Sequence, residues 1–301
     1  MYSLQSRAVA VRSRTALRDL FTLVRPGQWP KSLLVVPLVL LHPAAWTWPR
    51  PAALAGAVGL FVLASAVVYV GNDVADAGYD RAHPAKRHRP IAAGRVPVRA
   101  AVALGATLFV VLVVATAVTL PVLFAPLGAY VALNAAYSRW LKHVPVAEVF
   151  AVAAGFALRV LAGYLATGVR PSGWLLLCVF LLCFLPVLGK RRRELDLPEA
   201  LRRPVLRGYS AAFLDQLLVL AAGLTVVVFL FFAHERWGAR ADLVLAAVLL
   251  PVLFGLCRYL HVVLVQGGGA DPARGLLRDR VLLGSGVLSV VALAAAGLLS
   301  P

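Results

Sequence analysis

Negative charge is what this chain has least of: 13 Asp and Glu among 301 residues, against 30 Lys and Arg. Charged residues of both signs reach only 14%, while 61% of the chain is hydrophobic. So little charge excludes an ordinary soluble domain and places the chain among polytopic membrane proteins, as a single membrane-embedded domain over 1–301. In a soluble protein a formal charge of +17 would raise nucleic acid as a partner. Here the placement of the basic residues accounts for it, and no nucleic acid is expected. Cysteine is also scarce. Cys178, Cys183 and Cys257 sit inside apolar runs without ligand spacing, so they read as packing residues rather than as a thiolate metal site or a redox pair. Lysine is outnumbered by arginine, 4 to 26, a bias that a GC-rich genome produces and that carries little mechanistic weight.

In place of charge the chain has long apolar runs. Candidate spans, each near the ~20 residues a bilayer needs, fall at 31–47, 52–74, 98–118, 121–138, 147–168, 173–190, 209–233, 243–264 and 281–300. The fold class expected is therefore all-α, a polytopic bundle of nine transmembrane helices. Ahead of them, residues 1–30 form an Arg-bearing, helix-compatible segment in which Leu17, Leu20, Phe21 and Val24 share a face, as in a helix lying on the membrane surface. Its long polar lead does not read as a cleavable signal.

Basic residues divide unevenly between the two sides. With the amino terminus in the cytoplasm, 25 of the 30 Lys and Arg fall on that side, and only Arg50, Arg170, Arg236 and Arg240 oppose them, with Arg159 inside a span. That asymmetry predicts a cytoplasmic amino terminus in the cell (inner) membrane. It also offers a plain reading for many of these residues, as topology signals near anionic headgroups. Two long polar connections, 75–97 and 190–208, leave the membrane on this same side, four helices apart. The spacing suggests a duplicated four-helix unit with a ninth helix appended. A third connection, Gln266 to Arg280, begins QGGGADPARG and reads as a flexible linker.

The first polar loop, GNDVADAGYDRAHPAKRHRPIAAGR over Gly71 to Arg95, carries three of the thirteen acids. Asn72, Asp76 and Asp80 recur every fourth residue, so on a helix they fall roughly 40° apart in projection, with Asp73 beside them. Such a face of hard oxygen ligands suits Mg²⁺, which keeps waters and shares oxygens with a substrate phosphate. Lys86, Arg87 and Arg89 then supply cations of the kind that hold phosphate oxygens. His83 and His88 are phosphate hydrogen-bonders or plain interface residues. The second loop, GKRRRELDLPEALRRPVLRGYS, opens on Lys190, Arg191, Arg192 and Arg193. It is an anion site facing the acidic patch or a stop-transfer cluster, with Glu194 orienting a base, helping a metal, or pairing with Lys190.

Four further features are candidates. Gln28 and Lys31 sit at the mouth of the first span, within reach of an acceptor phosphate. Tyr137, Ser138 and Lys142 end the fourth span, where they could bond a ribose or phosphate or serve as interfacial anchors. Arg159 lies within a span, where an unpaired charge costs several kcal/mol. A structural pairing with Glu148 or Asp215 is the expectation, with substrate contact as the alternative.

The pattern Asn72-x-x-x-Asp76-x-x-x-Asp80, in the fuller form NDxxDxxxD, resembles the first aspartate motif of the UbiA superfamily of intramembrane prenyltransferases. RPGQWPKS at Arg25 to Ser32, HPAKRHRPIAAG within the first loop, YSRWLKH at Tyr137 to His143, RVLAG at Arg159 to Gly163 and GKRRREL at Gly189 to Leu195 are similar to one branch, the decaprenyl-phosphate phosphoribosyltransferases. Ser32 and Glu148 stand where that branch carries Asn and Asp. The resemblance implies nine helices, with the two polar loops as cytoplasmic active-site loops. It also implies a glycosyl transfer: Mg²⁺ held by Asn72, Asp76 and Asp80, with Asp73, Asp76 and Asp80 as catalytic acids, draws diphosphate from phosphoribosyl diphosphate. A polyprenyl phosphate lipid accepts the 5-phosphoribosyl group, a step in cell-wall arabinan (arabinogalactan) precursor synthesis.

Superfamily members that use prenyl diphosphates usually carry a second Asp-rich motif where this chain has KRRREL. Exchange of carboxylates for cations implies bare phosphate oxygens at the later loop. Two other readings remain at this point. One is an aromatic or quinone-precursor prenyltransferase using a prenyl diphosphate; the other is a transporter or lipid-binding protein without chemistry. A homo-oligomer is compatible with each.

Overall fold

The structure, a computed structural model, describes residues 18–36, 47–82, 86–199, 202–269, 275 and 278–298. Among the described residues every regular element is helical. A 3₁₀ segment, Pro26–Val35, precedes nine α-helices: α1 Arg50–Ala75, the short α2 Ala77–Ala82, α3 Val98–Thr119, α4 Phe124–Arg139, α5 Ala147–Ala166, α6 Gly173–Glu194, α7 Ala211–Trp237, α8 Ala241–Leu264 and α9 Arg280–Leu298.

Six of the eight long helices have the length and apolarity to cross a bilayer: α1, α3, α5, α6, α7 and, within α8, Val244–Leu264. The apolar part of α9, Arg280–Ala296, is shorter, and α4 has 16 residues. Eight of the nine expected spans are thus helices where the hydropathy placed them. The first, 31–47, departs from expectation: it opens inside the 3₁₀ run, and 37–46 lie outside the described residues. Pro26 and Pro30 stand four apart there. Pro26 opens the run, where either helix accepts it; Pro30 lies inside, removes a backbone donor and crowds the preceding turn, which disfavours the α ladder and leaves the tighter 3₁₀ pattern. Leu17 of the expected surface helix is likewise outside the described residues, and 18–23 are helical.

The long helices form two groups of four. In the first, α1 packs on α3, α4 and α5; in the second, α7 joins α6 to α8, and α8 carries α9. The α5–α6 contact connects them. Phe61, Leu123, Leu127 and Tyr130 fill the first group, while Leu188, Leu214, Leu218 and Val263 fill part of the second. Side chains such as Val110, Val114 and Val118 of α3 stay exposed. On a helix of mean hydropathy 2.6 they are the surface offered to lipid.

The first polar loop is part of the packed body. Ile91 and Val96 are buried with Leu23, Val70, Ala77 and Ala101 in a small core beneath it. That core fixes the amino-terminal segment, the end of α1 and the loop against one another, and so positions the charged residues that follow.

Candidate active site

The four-residue period of the acids survives a break in the helix. Asp76 caps α1, yet its amide donates to Asn72 O at 2.9 Å and the Asp80 amide donates to Asp76 O at 2.9 Å, so the helical path continues through α2. Asn72, Asp76 and Asp80 therefore share a face, as their spacing predicts. Asp73 and Asp80 are buried, at 3% and 2% exposure, and both carboxylates are met by cations. Arg89 Nη1 bridges them, 3.1 Å from Asp73 Oδ1 and 2.7 Å from Asp80 Oδ2, with Lys86 Nζ 3.9 Å from Asp80 Oδ1. Arg25 also donates to Asp73 and lies 5.1 Å from the centre of the Tyr69 ring. Its backbone is left-handed (φ 49°), a conformation uncommon for a residue other than glycine.

The end of α4 completes this side. Lys142 Nζ lies 2.7 Å from Asp76 Oδ1, and the Ser138 hydroxyl donates to Asn72 Oδ1. Every proposed metal-side residue is thereby in one cluster with Lys86, Arg89, Ser138 and Lys142. Arg87 is exposed and donates to His88 Nε2 at 3.4 Å, and His83 lies outside the described residues. Gln28 is half-buried and Lys31 exposed on the 3₁₀ segment, and Lys190 lies in the last turn of α6.

The later basic run is placed differently from expectation. Arg191, 3% exposed, is bidentate to Glu148 (2.5 and 2.8 Å) and bonds Glu194 at 2.7 Å. Arg192 pairs with Asp215 at 2.7 Å, and Arg193 with Asp196 at 2.7 Å. These guanidiniums hold α5, α6 and α7 together. Tyr209 joins the same knot, its oxygen accepting from the Val146 amide at 2.6 Å, and burial raises the phenol's pKa above its ordinary value. Tyr137 lies within electrostatic reach of Arg191. Gly208 is pressed on Pro145, where a Cβ would stand 2.4 Å from Cγ, so the second loop is packed onto the α4–α5 turn.

Arg159 also corrects the expectation. Glu148 and Asp215 are taken by Arg191 and Arg192, and Arg159 meets neither. Its guanidinium instead bonds Gly155 O (2.7 Å), Tyr130 OH (2.9 Å) and Ser65 Oγ (3.3 Å), within 6 Å of the Phe61, Tyr130 and Phe156 ring centres. Aromatic faces and neutral oxygens hold this buried charge in place of a carboxylate. Among its bonds, those to Ser65 and Tyr130 tie α1 to α4 two turns below the Asn72–Ser138 contact.

Two residues absent from the sequence-based site belong to it: Arg25, through Asp73, and Arg203, which lies 3.5 Å from Glu194 and within electrostatic reach of Lys86. Burial lowers the Lys86 pKa, against the pull of Asp80, and Arg89 and Arg203 push the same way. Arg203 thus brings the second loop to face the first. The expected linker is also more than a tether. Gly267 (φ 71°) and Gly269 (φ 101°) use left-handed backbone to lie on Arg193 and Gly189.

Among the described residues no three of His, Cys, Asp and Glu gather as a ready metal cluster. Asn72, Asp76 and Asp80 do present hard oxygens only, a donor set that suits Mg²⁺ and not a soft ion. Away from them, an apolar cavity of about 440 Å³ opens between α6, α7, α8 and α9, lined among others by Leu182, Phe229, Val252, Tyr259 and Leu293.

Comparison with known proteins agrees with this architecture. Residues 33–264 match the model of the UbiA prenyltransferase family. The decaprenyl-phosphate phosphoribosyltransferase of Mycobacterium tuberculosis (strain ATCC 25618 / H37Rv) is 34% identical over 278 residues, covering 86% of this chain and 87% of that protein. Its namesake from Corynebacterium glutamicum is 31% identical over 280 residues, covering 90% and 82%. A UbiA homolog from Archaeoglobus fulgidus, solved bound to DMAPP and Mg²⁺, superposes with a TM-score of 0.70 at 16% identity, over 93% of this chain and 98% of that one. With most of its length matched by the family model and by curated relatives, this chain is a multi-pass, all-helical membrane transferase belonging to the UbiA prenyltransferase family.

Proposed function

We propose that this transferase moves the 5-phosphoribosyl group of phosphoribosyl diphosphate onto a polyprenyl phosphate, decaprenyl in the relatives' names, releasing diphosphate and yielding a lipid-linked precursor of cell-wall arabinan. The observation that carries the reading is the asymmetry of the two loops. One presents Asn72, Asp76 and Asp80 for a hard cation; the other has basic residues where members of the family that use prenyl diphosphates carry a second acidic motif. The relatives over 86–90% of this chain are named for the same transfer.

Bound Mg²⁺ on Asn72, Asp76 and Asp80 would neutralise the charge that builds on the departing diphosphate. Lys86, Arg89 and Lys142, each already on a carboxylate of the cluster, are the side chains next to that charge and orient its oxygens. Asp73 acts by position: buried between Arg25 and Arg89, it aims Arg89 at Asp80. Arg191 and Glu194 serve as a frame beside Tyr137, and substrate contacts fall to Lys190, Gln28 and Lys31. The acceptor arrives ionised, so no general base is needed. Its tail requires an apolar path inside the membrane, and the 440 Å³ apolar cavity between α6, α7, α8 and α9 supports that reading. The uneven division of basic residues supports an amino terminus and site at the cytoplasmic face of the cell membrane.

The test is direct. Purified protein is given labelled phosphoribosyl diphosphate with polyprenyl phosphate, beside a prenyl diphosphate with 4-hydroxybenzoate. Label entering the organic phase from the first pair is expected; product from the second pair alone would make this an aromatic prenyltransferase.

A further inference from the structure

We propose that Arg202, Arg203 and Arg207 build a phosphate-binding hollow, and that its ligand is the 5-phosphate of the pentose donor, an inference resting on the phosphoribosyl reading above. The run expected to meet phosphate is committed elsewhere. Arg191, Arg192 and Arg193 each hold a carboxylate at 2.7 Å or closer. Later in the same loop the grip is loose: Arg203 Nε stands 3.5 Å from Glu194 and Arg207 Nη2 3.7 Å from Glu199. Those two, with Arg202, Glu199, Pro204 and Leu206, line a cavity of about 160 Å³. A cavity needs only about 10–15 Å³ of such space to hold a water, so this one has room for a phosphate group.

The hollow is built on a fixed base. The 3₁₀ turn Pro204–Gly208 buries Val205 and Leu206 at 5% and 2% exposure, and Gly208 abuts Pro145. Arg202 Nε donates to Leu197 O at 2.7 Å, which uses one of the five donors on its guanidinium. Three arginines and one acid, Glu199, line the hollow, and Glu194 beside Arg203 is already shared with Arg191, so the site is cationic. Its place matters as well. Arg203 reaches Glu194 on one side and Lys86 electrostatically on the other, at the seam between the loops.

A pentose donor is anionic at both ends. If its diphosphate goes to the acid cluster, its far dianion needs cations of its own, and arginine forks suit phosphate oxygens. A prenyl diphosphate has no second anionic end. A phospholipid headgroup offers the same phosphate chemistry at a membrane surface, and the experiment separates the two.

Full-length protein in zwitterionic-lipid nanodiscs, as wild type, Arg203→Gln and the triple Arg202→Gln, Arg203→Gln, Arg207→Gln variant, is titrated with ribose 5-phosphate by calorimetry and assayed for transfer. In the triple variant, Kd for ribose 5-phosphate and KM for phosphoribosyl diphosphate are expected to rise at least tenfold, with kcat and acceptor KM within twofold. The single variant is expected to raise both constants at least threefold, and decides the matter if the triple does not elute as a monodisperse protein. Unchanged ribose 5-phosphate binding overturns the proposal. So does a defect that appears only when anionic lipid is added to the discs, which would mark the hollow as a headgroup site. Wild type that binds ribose 5-phosphate through these arginines but transfers nothing would refute the functional reading and keep the hollow. Transfer with an unaltered donor KM in the variants would do the reverse.

Discussion

Replacing Glu148 by Gln strands a guanidinium inside the protein. Glu148 and Arg191 are 1% and 3% exposed and joined by two bonds of 2.5 and 2.8 Å. Removing one partner of a buried ion pair costs about 3–5 kcal/mol. Arg191 keeps Glu194 at 2.7 Å, which argues for the lower end. In a chain of this size ~1 kcal/mol moves the unfolding midpoint by about 2–4 °C, so Glu148→Gln should melt about 6–12 °C early in detergent. The double variant Glu148→Leu, Arg191→Met replaces both charges with apolar groups, an exchange often neutral or stabilising. It should recover most of that loss and keep the donor KM within twofold, since Arg191 is a frame residue. A wild-type midpoint for Glu148→Gln, or a double variant as labile as the single, would refute the buried-pair argument. A tenfold rise in donor KM in a stable double variant would return Arg191 to phosphate binding.

Three further outcomes follow from other contacts. Arg159→Met removes three hydrogen bonds, each worth about 1 kcal/mol, and ring contacts of about 2 kcal/mol; its midpoint should drop, and Arg159→Lys, lacking the planar fork, should recover less than half. A Met variant as stable as wild type would mean that burying the charge costs as much as those contacts contribute. Asp279 accepts from the Leu282 amide and from Arg258, which hold its pKa below the ordinary carboxylate value. A lowered folded pKa stabilises above the unfolded value of about 3.9 and is lost as pH falls through the folded one. Asp279→Asn should therefore melt below wild type at pH 7, with the gap closing under about pH 4; a constant gap would contradict this linkage. In Gly208→Ala a Cβ meets the Pro145 ring at 2.4 Å, a rigid neighbour, so a loss of about 1–3 kcal/mol is expected in thermal unfolding.

Much of this architecture is readable because its signals are local. Hydropathy over ~20 residues located eight of the long helices, and a four-residue period put Asn72, Asp76 and Asp80 on one face, where the i to i−4 bonds through Asp76 keep them. The 3₁₀ start was less visible, since Pro30 competes with an apolar run and hydropathy senses only the run. Pairings of charge were not legible. Arg191 finds Glu148 at a separation of 43 residues and Arg25 finds Asp73 at 48, choices made by helix packing and not by spacing. A run such as KRRR reads as a phosphate site until the acids opposite are known. Arg203 carried no motif of its own and was found only by the meeting of the two loops.

The central claim is that oxygens on one face of the α1–α2 junction hold a divalent cation for transfer of the pentose. Asp76→Asn tests it most directly, because Asp76 is partly exposed and its pairing with Lys142 is peripheral to the buried acids. The measurement is organic-phase label from phosphoribosyl diphosphate and polyprenyl phosphate across a Mg²⁺ titration, on protein whose elution and melting match wild type. Label that EDTA abolishes in wild type and that no Mg²⁺ concentration restores in Asp76→Asn is the predicted result; full transfer by the variant, or by EDTA-treated wild type, would contradict the account.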